Sequence, residues 1–295
     1  MKISYLKLCT YLSVLAACQS VGDRCKRTVL SSCLLTPEEE EGPYYWNTTL
    51  NRENITETKV GVPFRLIITV IDSNNCSAII NAAVDIWHCD PIGVYSHFES
   101  STASTTTYLR GIQLTNSSGI VVFDTLYPGW YNGRATHIHI KVHFGGTISS
   151  GGYSAGHVSH TGQMFFNETM TDQVALLPPY STHNITRTLI TTDRVYNGQN
   201  GSYSLVTLSY VNSTAGLSSG VIGAFTVRVD STSTPSLVVD NNANGGSGAG
   251  PGSPPSPTNA AVSSTTTSTS ATIYTKHIQA SFLLLILRPM YGANP

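Results

Sequence analysis

Charged side chains are scarce in this chain. Only 11% of its 295 residues are Asp, Glu, Lys or Arg, and 16 basic against 17 acidic residues leave a formal net charge of −1. A nucleic-acid-binding surface needs a basic face, and the chain has no excess of basic residues to build one. The composition therefore argues against a nucleic-acid partner and predicts a small or neutral ligand.

Helix signals are almost absent as well. The single candidate is "MTDQVALL", where Thr171 is predicted to cap one short turn. Elsewhere β-branched and aromatic runs alternate with Gly, Asn, Ser and Pro, a pattern typical of strands. It predicts an all-β fold, an antiparallel β-sandwich forming one domain over residues 21–232. The predicted strands cover residues 62–72, 82–90, 119–126, 136–144, 162–166 and 220–230.

The two ends differ in composition from this body. Lys2 and Lys7 precede an apolar run with small residues near position 20, which predicts a secretory signal over residues 1–20 rather than a buried first helix. Residues 233–279 are rich in Gly, Ser, Thr and Pro and predict a disordered stalk. The apolar run within residues 280–295 is shorter than the roughly 20 residues that span a bilayer. That tail is either plain disordered chain or a cleaved surface-anchor signal, and only such a lipid anchor would attach the protein to a membrane.

Cysteines and sequons agree with export. Cys9 and Cys18 would leave with the signal, and an even set remains, which suits an oxidising compartment. Four cysteines allow three pairings, and the sequence does not choose among them. Eight Asn-x-Ser/Thr sequons point the same way, with only a subset expected to carry glycans. The sequence thus predicts a secreted or cell-surface protein. The remaining cysteines are Cys25, Cys33, Cys76 and Cys89.

The stretch "THIHIKVHF" places histidines on alternate positions of a predicted strand. Successive side chains of a strand point to opposite faces, so His137 and His139 share one face while the intervening aliphatic residues face a core. Alone, His-x-His is a weak metal signal. Tyr131 in the preceding turn and Tyr95 in "DIWHCDPIGVYS" strengthen it. With no carboxylate nearby, the set differs from the two-histidine, one-carboxylate iron site, whereas two phenolates suit ferric iron.

Four blocks in the same order resemble the intradiol ring-cleavage dioxygenases, in particular their secreted eukaryotic branch. They are "LLTPEEEEGPYYW", "VDIWHCDPIGVYS", "LRGIQLTNSSGIVVFDTLYPGWYNGRATHIHIKV" and "TGQMFF". The resemblance implies that Tyr95, Tyr131, His137 and His139 ligate a non-haem Fe(III). It also implies that catechol-type rings, of the catechol 1,2- or protocatechuate 3,4-type, are cleaved by O2 between the hydroxylated carbons. The product would be a cis,cis-muconate-type diacid, and Tyr131 would accept a substrate proton.

The resemblance also assigns residues that would contact the substrate. Arg134 would stabilise the negative charge that develops on it, and Gln163 would lie beside the same ring face. Gly42, Pro43 and Tyr44 would line the pocket. No helical dimerisation segment precedes Cys33, so the oligomeric state stays open.

Two other functions remain open at this stage. The chain could be a secreted β-sandwich binding or structural glycoprotein that has lost activity. It could also be a zinc enzyme in which His137, His139 and another histidine, such as His157 or His160, bind the metal. Arg134 could instead form a surface salt bridge, and the other histidines near the motifs could be structural or surface residues. Those histidines are His88, His97 and His143.

Overall fold

A computed structural model describes residues 33–100, 104–149, 152–154 and 156–239. The predicted signal, Cys25, residues 240–279 of the predicted stalk and the whole tail lie outside these residues. Within the described ranges, no helix is both long and apolar enough to cross a bilayer.

Strands are the main regular elements of the described chain. The runs rich in β-branched residues become strands as predicted, whereas β3, β6, β7 and β9 are short and carry Gly, Ser or Gln, which weakens the pattern. The α-helices are α1 (Glu168–Ala175) and α2 (Arg194–Gly198), with 3₁₀ turns at Tyr180–Thr182, Ile190–Thr192, Gly201–Tyr203 and Gly216–Ser219. The strands are β1 (Pro63–Asp72), β2 (Ala83–Trp87), β3 (Arg110–Leu114), β4 (Ile120–Leu126), β5 (His137–Phe144), β6 (Thr147–Ser149), β7 (Gly152–Ser154), β8 (His157–Phe165), β9 (Thr207–Tyr210) and β10 (Val221–Val229).

Two four-stranded sheets form the sandwich. One has the order β4-β1-β10-β9 and the other β3-β2-β5-β8, while β6 and β7 make a separate hairpin. The pairing is antiparallel, as predicted, except that β1 and β10 run parallel from Phe64↔Val221 to Asp72↔Val229. These two strands lie at opposite ends of the described chain, so no tight hairpin forces them into an antiparallel pair.

The core lies between the sheets and is mainly aliphatic, with several aromatic side chains. Ile138, Ile140 and Val142 of β5 are fully buried in it and pack with inward residues of β1, such as Leu66 and Ile68. Burying each of these side chains contributes about 1.5–3 kcal/mol. The predicted alternation along β5 is therefore confirmed. The histidine face of the same strand looks outward and is covered by loops.

Helix α1 begins earlier than predicted. Asn167 precedes the helix, and its side-chain oxygen accepts a hydrogen bond from the Met170 amide at 2.9 Å. Thr171 lies inside the helix and donates its hydroxyl to the Asn167 carbonyl at 2.9 Å. The prediction of Thr171 as the cap is wrong because an N-cap must precede the first helical residue, and Asn167 already takes that role.

One disulfide lies within the described residues. It joins Cys33 to Cys76, whereas Cys89 is a buried free thiol. The bridge spans a sequence separation of 43 residues, and chain entropy gives such a loop a stabilisation of about 4 kcal/mol. It ties the segment that leads into the run of four glutamates to the turn after β1.

Candidate metal and substrate site

His137 and His139 lie side by side on the outward face of β5. Both are buried, and their Nε2 atoms are 3.1 Å apart. The Nδ1 atom of His137 is 2.6 Å from the carbonyl oxygen of Ala135. A carbonyl oxygen can only accept, so this nitrogen carries the proton and Nε2 keeps its lone pair. The backbone thus fixes the tautomer that presents Nε2 of His137 to a ligand.

Tyr95 and Tyr131 complete a ring of four side chains. The Tyr131 hydroxyl is 3.5 Å from His137 Nε2. The centroid of the Tyr95 ring is 5.8 Å from that of Tyr131 and 6.1 Å from that of His139. The Tyr95 hydroxyl is buried and has no hydrogen-bond partner among the described residues. The structure therefore brings the four predicted ligands into one cluster and leaves one of their oxygens unsatisfied.

Burial sets the protonation of this cluster. It lowers the pKa of both His137 and His139, and the positive charge of Arg134 lowers both further. It also raises the pKa of the Tyr95 and Tyr131 phenols above their ordinary value. Neutral imidazoles are ready to bind a metal, whereas buried phenols ionise only beside a strong cation. The set of donors matches a hard, highly charged metal ion.

The two histidines considered as third ligands of a zinc site lie on β8, not beside the pair on β5. His157 is exposed, and its Nε2 lies 3.1 Å from the Ser231 carbonyl oxygen. The Nδ1 atom of His160 is 2.7 Å from Glu38. In the described part of the chain, no three side chains drawn from His, Cys, Asp and Glu come together as a metal site. The side chains of Tyr95 and Tyr131, and not those of His157 and His160, lie beside the pair on β5.

Arg134 is buried beside the cluster rather than at the surface. Its Nε donates to Asp193 at 2.9 Å, its Nη2 donates to Gln163, and its Nη1 is 3.4 Å from the Tyr131 hydroxyl. Although burial opposes its charge, the neighbouring Tyr131 and Asp193 raise the pKa of Arg134 above its ordinary value. The side chain does form an ion pair, but a buried one, so the surface alternative is wrong.

The run of four glutamates lies across the outward face of this sheet. The Glu39 amide donates to the Thr161 carbonyl at 2.9 Å, and the Glu39 carboxylate accepts from the Gln163 amide at 2.6 Å. Burial raises the pKa of Glu39 to about 8, against the opposing effect of that Gln163 hydrogen bond. Further along, Glu41 pairs with Lys141 of β5. The run anchors the chain so that its next residues pass over the histidines.

Those next residues are the predicted pocket residues. A Cβ added to Gly42 would lie 3.2 Å from Cε1 of His139. The ring of Tyr44 stacks on that of Tyr95 at 4.4 Å and meets that of Tyr131 edge-on at 5.6 Å. Pro43, between them, is exposed. Two of the three residues therefore pack directly on the predicted ligands.

The other histidines near the motifs have different environments. Both ring nitrogens of His88 are bonded, at 2.8 Å to the Cys89 carbonyl and at 2.8 Å to the Thr125 hydroxyl, so it is structural. His97 stacks on Trp46 with ring centroids 4.0 Å apart. His143 is buried, and neither of its ring nitrogens has a hydrogen-bond partner in the described structure.

Known proteins are similar to this chain in fold and in sequence. The family model described as Dioxygenase matches residues 40–168. The solved structure of an intradiol ring-cleavage dioxygenase from Tetranychus urticae is 30% identical, covers 70% of this chain and 98% of its own, and has a TM-score of 0.61. A second solved dioxygenase structure is 31% identical, with the same coverage and a TM-score of 0.61. No curated protein matches the chain.

The chain belongs to the intradiol ring-cleavage dioxygenase family. This membership confirms the resemblance of the four sequence blocks to the family and the predicted sandwich fold, whereas the secreted eukaryotic branch stays a prediction. The residues matched by the family model, 40–168, include Tyr95, Tyr131, His137, His139 and Gln163.

Three residues of the candidate site are not predicted by the sequence blocks. Asp193 binds Arg134 from 59 residues further along the chain. Glu39 and Glu40 stand in the quoted glutamate run, but the run carries no signal that its carboxylates are buried. The one local signal at Asp193 is its position before α2, where it caps the helix. That pattern predicts a helix start and not a contact with Arg134.

Gly42→Ala is expected to disturb the histidine pair of the candidate site. Gly42 has a φ of +74°, where an L-residue costs about 1–2 kcal/mol. The added methyl group would also press on His139, so we expect a loss of bound metal beyond the loss of stability. Metal content and thermal unfolding measure the two effects.

Gly145→Ala is the matched control for this prediction. Gly145 has a φ of +77°, but a Cβ there meets no atom within 4 Å. It should lose similar stability and keep its metal. Equal metal content in the two variants would contradict the contact with His139.

Proposed function

We propose that this protein is a secreted non-haem Fe(III) intradiol dioxygenase that cleaves catechol-type rings with O2 to muconate-type diacids. One observation carries the proposal. Two buried imidazoles with Nε2 atoms 3.1 Å apart, the buried Tyr95 phenol with its unsatisfied hydroxyl and the partly buried Tyr131 phenol lie together beside a buried arginine.

The residues present fit ferric iron. Tyr95, Tyr131, His137 and His139 would hold it, and two phenolates with one further anion would balance its three charges inside a low-dielectric site. The buried Tyr95 hydroxyl has no hydrogen-bond partner among the described residues, which is otherwise unfavourable, and a metal would satisfy it. Bound there, ferric iron would act as a Lewis acid that binds the catecholate and makes its ring carbons reactive toward O2.

The chain's own residues would handle protons and charge. The Tyr131 hydroxyl lies at the cluster, where as a phenolate it can accept a proton from a substrate hydroxyl. Arg134 Nη1 points at the same oxygen, so its positive charge would stabilise negative charge developing on the substrate. Gln163 accepts from Arg134 Nη2 and donates its own Nε2 to the Glu40 carbonyl at 2.8 Å, which holds the guanidinium in place.

Export to the outside of the cell is part of this proposal. The asparagines of all eight sequons are exposed in the described structure, so each is accessible for glycosylation. The Cys33–Cys76 disulfide suits an oxidising compartment. Expression of the full chain in a eukaryotic host, followed by glycosidase treatment of the medium fraction, tests it. Protein retained inside the cell without glycans would contradict it.

The deciding experiment is a metal assay and a visible absorption spectrum of the purified protein, before and after anaerobic addition of catechol. We expect bound iron, a tyrosinate-to-iron absorption band that shifts on catechol addition, and a ring-opened diacid once O2 is admitted. Protocatechuate, which carries a carboxylate, is tested in parallel to separate the two substrate types. A colourless protein that iron cannot reconstitute would leave the binding glycoprotein or the zinc enzyme.

Tyr131→Phe is expected to change the colour and slow turnover by about 100-fold, the lower range for a lost general base. The change removes one hydroxyl that lies 3.5 Å from His137 Nε2 and 3.4 Å from Arg134 Nη1. Spectra and steady-state kinetics on catechol measure it. Tyr210→Phe, which removes a hydroxyl bonded only to Gln173 in the described structure, should change neither. An unchanged spectrum and rate in Tyr131→Phe would count against its role as a ligand.

A further inference from the structure

Two carboxylates lie near the buried guanidinium of Arg134, and only one of them holds it. Asp193 accepts from Arg134 Nε at 2.9 Å. Glu40 Oε1 lies 3.7 Å from Arg134 Nη1, beyond hydrogen-bonding distance. Arg134 therefore has a second carboxylate nearby to which it makes no hydrogen bond.

Asp193 links Arg134 to the histidine pair. Its side chain is fully buried, and the oxygen that binds Arg134 also accepts from the Ala135 amide at 2.7 Å. The carbonyl of the same Ala135 accepts from His137 Nδ1 at 2.6 Å. The second oxygen of Asp193 accepts from two amides at the start of α2. A single carboxylate thus ties α2 to Arg134 and, through one residue, to His137.

Arg194 holds the competing carboxylate. It donates to both oxygens of Glu40, at 2.7 and 2.6 Å. The backbone amide of Glu40 donates in turn to Gln199 at 2.8 Å. Engaged in this way, Glu40 does not draw Arg134 Nη1 away from the Tyr131 hydroxyl. Arg194 itself is about half exposed, with 48% of its side chain accessible.

We propose that the adjacent residues Asp193 and Arg194 position Arg134 toward the substrate, Asp193 by holding its Nε and Arg194 by holding Glu40 away from its Nη1. The inference rests on the proposed function of Arg134 at a catechol. It names no new group that touches the substrate, because both residues act through Arg134. Loss of either residue should turn the guanidinium away from the cluster.

Arg194→Gln tests the competition at a surface position. Without Arg194, Glu40 should bind Arg134. We therefore expect kcat for catechol to fall about tenfold, as is typical when a residue that orients a functional group is lost. Adding Glu40→Gln removes the competing charge and should restore kcat to within about twofold of wild type. A merely structural role of Arg194 predicts no rescue, and a double variant as slow as the single one would overturn the proposal.

Arg187→Gln is the matched control for Arg194→Gln. Arg187 also binds two carboxylates, those of Glu168 and Asp172, but neither belongs to the site. Its loss should lower stability without changing kcat. An equal fall in kcat in both arginine variants would also overturn the proposal.

Asp193→Asn tests the other residue. The asparagine keeps an oxygen for the helix start but presents an NH₂ group to the donors Arg134 Nε and Ala135 N. We expect kcat to fall about 10-fold to 100-fold, since a misplacement of about 1 Å can cost 100-fold. Combined with Arg134→Ala, it should add no further loss, because Asp193 acts through Arg134. Additive losses would overturn that route.

A binding measurement separates this inference from the proposed reaction. The dissociation constant of catechol, taken anaerobically from the quenching of tryptophan emission, should rise in Arg194→Gln and return in the Arg194→Gln/Glu40→Gln variant. If the wild-type protein binds catechol but does not cleave it, the proposed reaction fails, and the order of these dissociation constants still decides how Arg134 is positioned. Unchanged dissociation constants together with an unchanged kcat in Arg194→Gln and Asp193→Asn would overturn the inference while leaving a cleaving enzyme intact.

Discussion

Replacing His139 by alanine is expected to remove the iron and abolish ring cleavage, a loss of more than about 10³-fold and so larger than for any single hydrogen-bond donor. His139 is fully buried, its Nε2 faces that of His137 at 3.1 Å, and Trp87 stacks on its ring with centroids 4.8 Å apart. Trp87 stacks on the ring, and Gly42 lies beside its Cε1 atom. Neither residue can bind a metal through its side chain in place of His139. Metal content of the purified variant and catechol turnover measure the result.

His157→Ala and His160→Gln are the controls for that experiment. Under the proposed function, both variants keep iron and cleave catechol, because His157 is exposed and His160 is paired with Glu38. A zinc site would instead need one of them. Loss of metal in either control would contradict the site of two histidines and two tyrosines, even if His139→Ala is also inactive.

The outward face of β5 shows what the sequence predicts well. A strand read as alternating histidine and aliphatic residues places Ile138 and Ile140 in the core and His137 and His139 together on the other side, and the structure has this arrangement. The alternation depends only on the strand period, which is local. The position of Tyr95 beside them does not follow from any period, and it was predicted only because a sequence block matched the family.

The contacts that fix Arg134 show what the sequence does not predict. Asp193 is 59 residues from Arg134, and Glu40 is 123 residues from Gln163, which donates to its carbonyl. Such contacts depend on how loops close over a sheet, and no spacing in the chain encodes them. A run of four acidic residues ordinarily predicts a solvated segment. Here Glu39 is fully buried, because amide and hydroxyl donors from β8 and Ser204 surround it.

Arg134→Ala is expected to retain iron while kcat falls by about 10²–10³-fold, the usual effect of losing one donor that stabilises developing charge. The guanidinium touches Tyr131 and Gln163 but is not one of the four proposed ligands. Metal content and the anaerobic spectrum with catechol measure whether iron and substrate still bind, and kcat measures catalysis. Arg65→Ala, which removes a surface arginine paired with Asp124, should leave all three unchanged.

Loss of iron from Arg134→Ala would contradict this role and make the residue structural. The stability of the variant decides how to interpret such a loss. A buried carboxylate left without its partner usually destabilises a protein by about 3–5 kcal/mol. Asp193 keeps three amide donors when Arg134 is removed, one from Ala135 and two from the start of α2. The charge of Asp193 therefore stays solvated by the backbone, and we expect the variant to fold. A folded, iron-containing and slow Arg134→Ala protein would place the arginine in catalysis and not in metal binding.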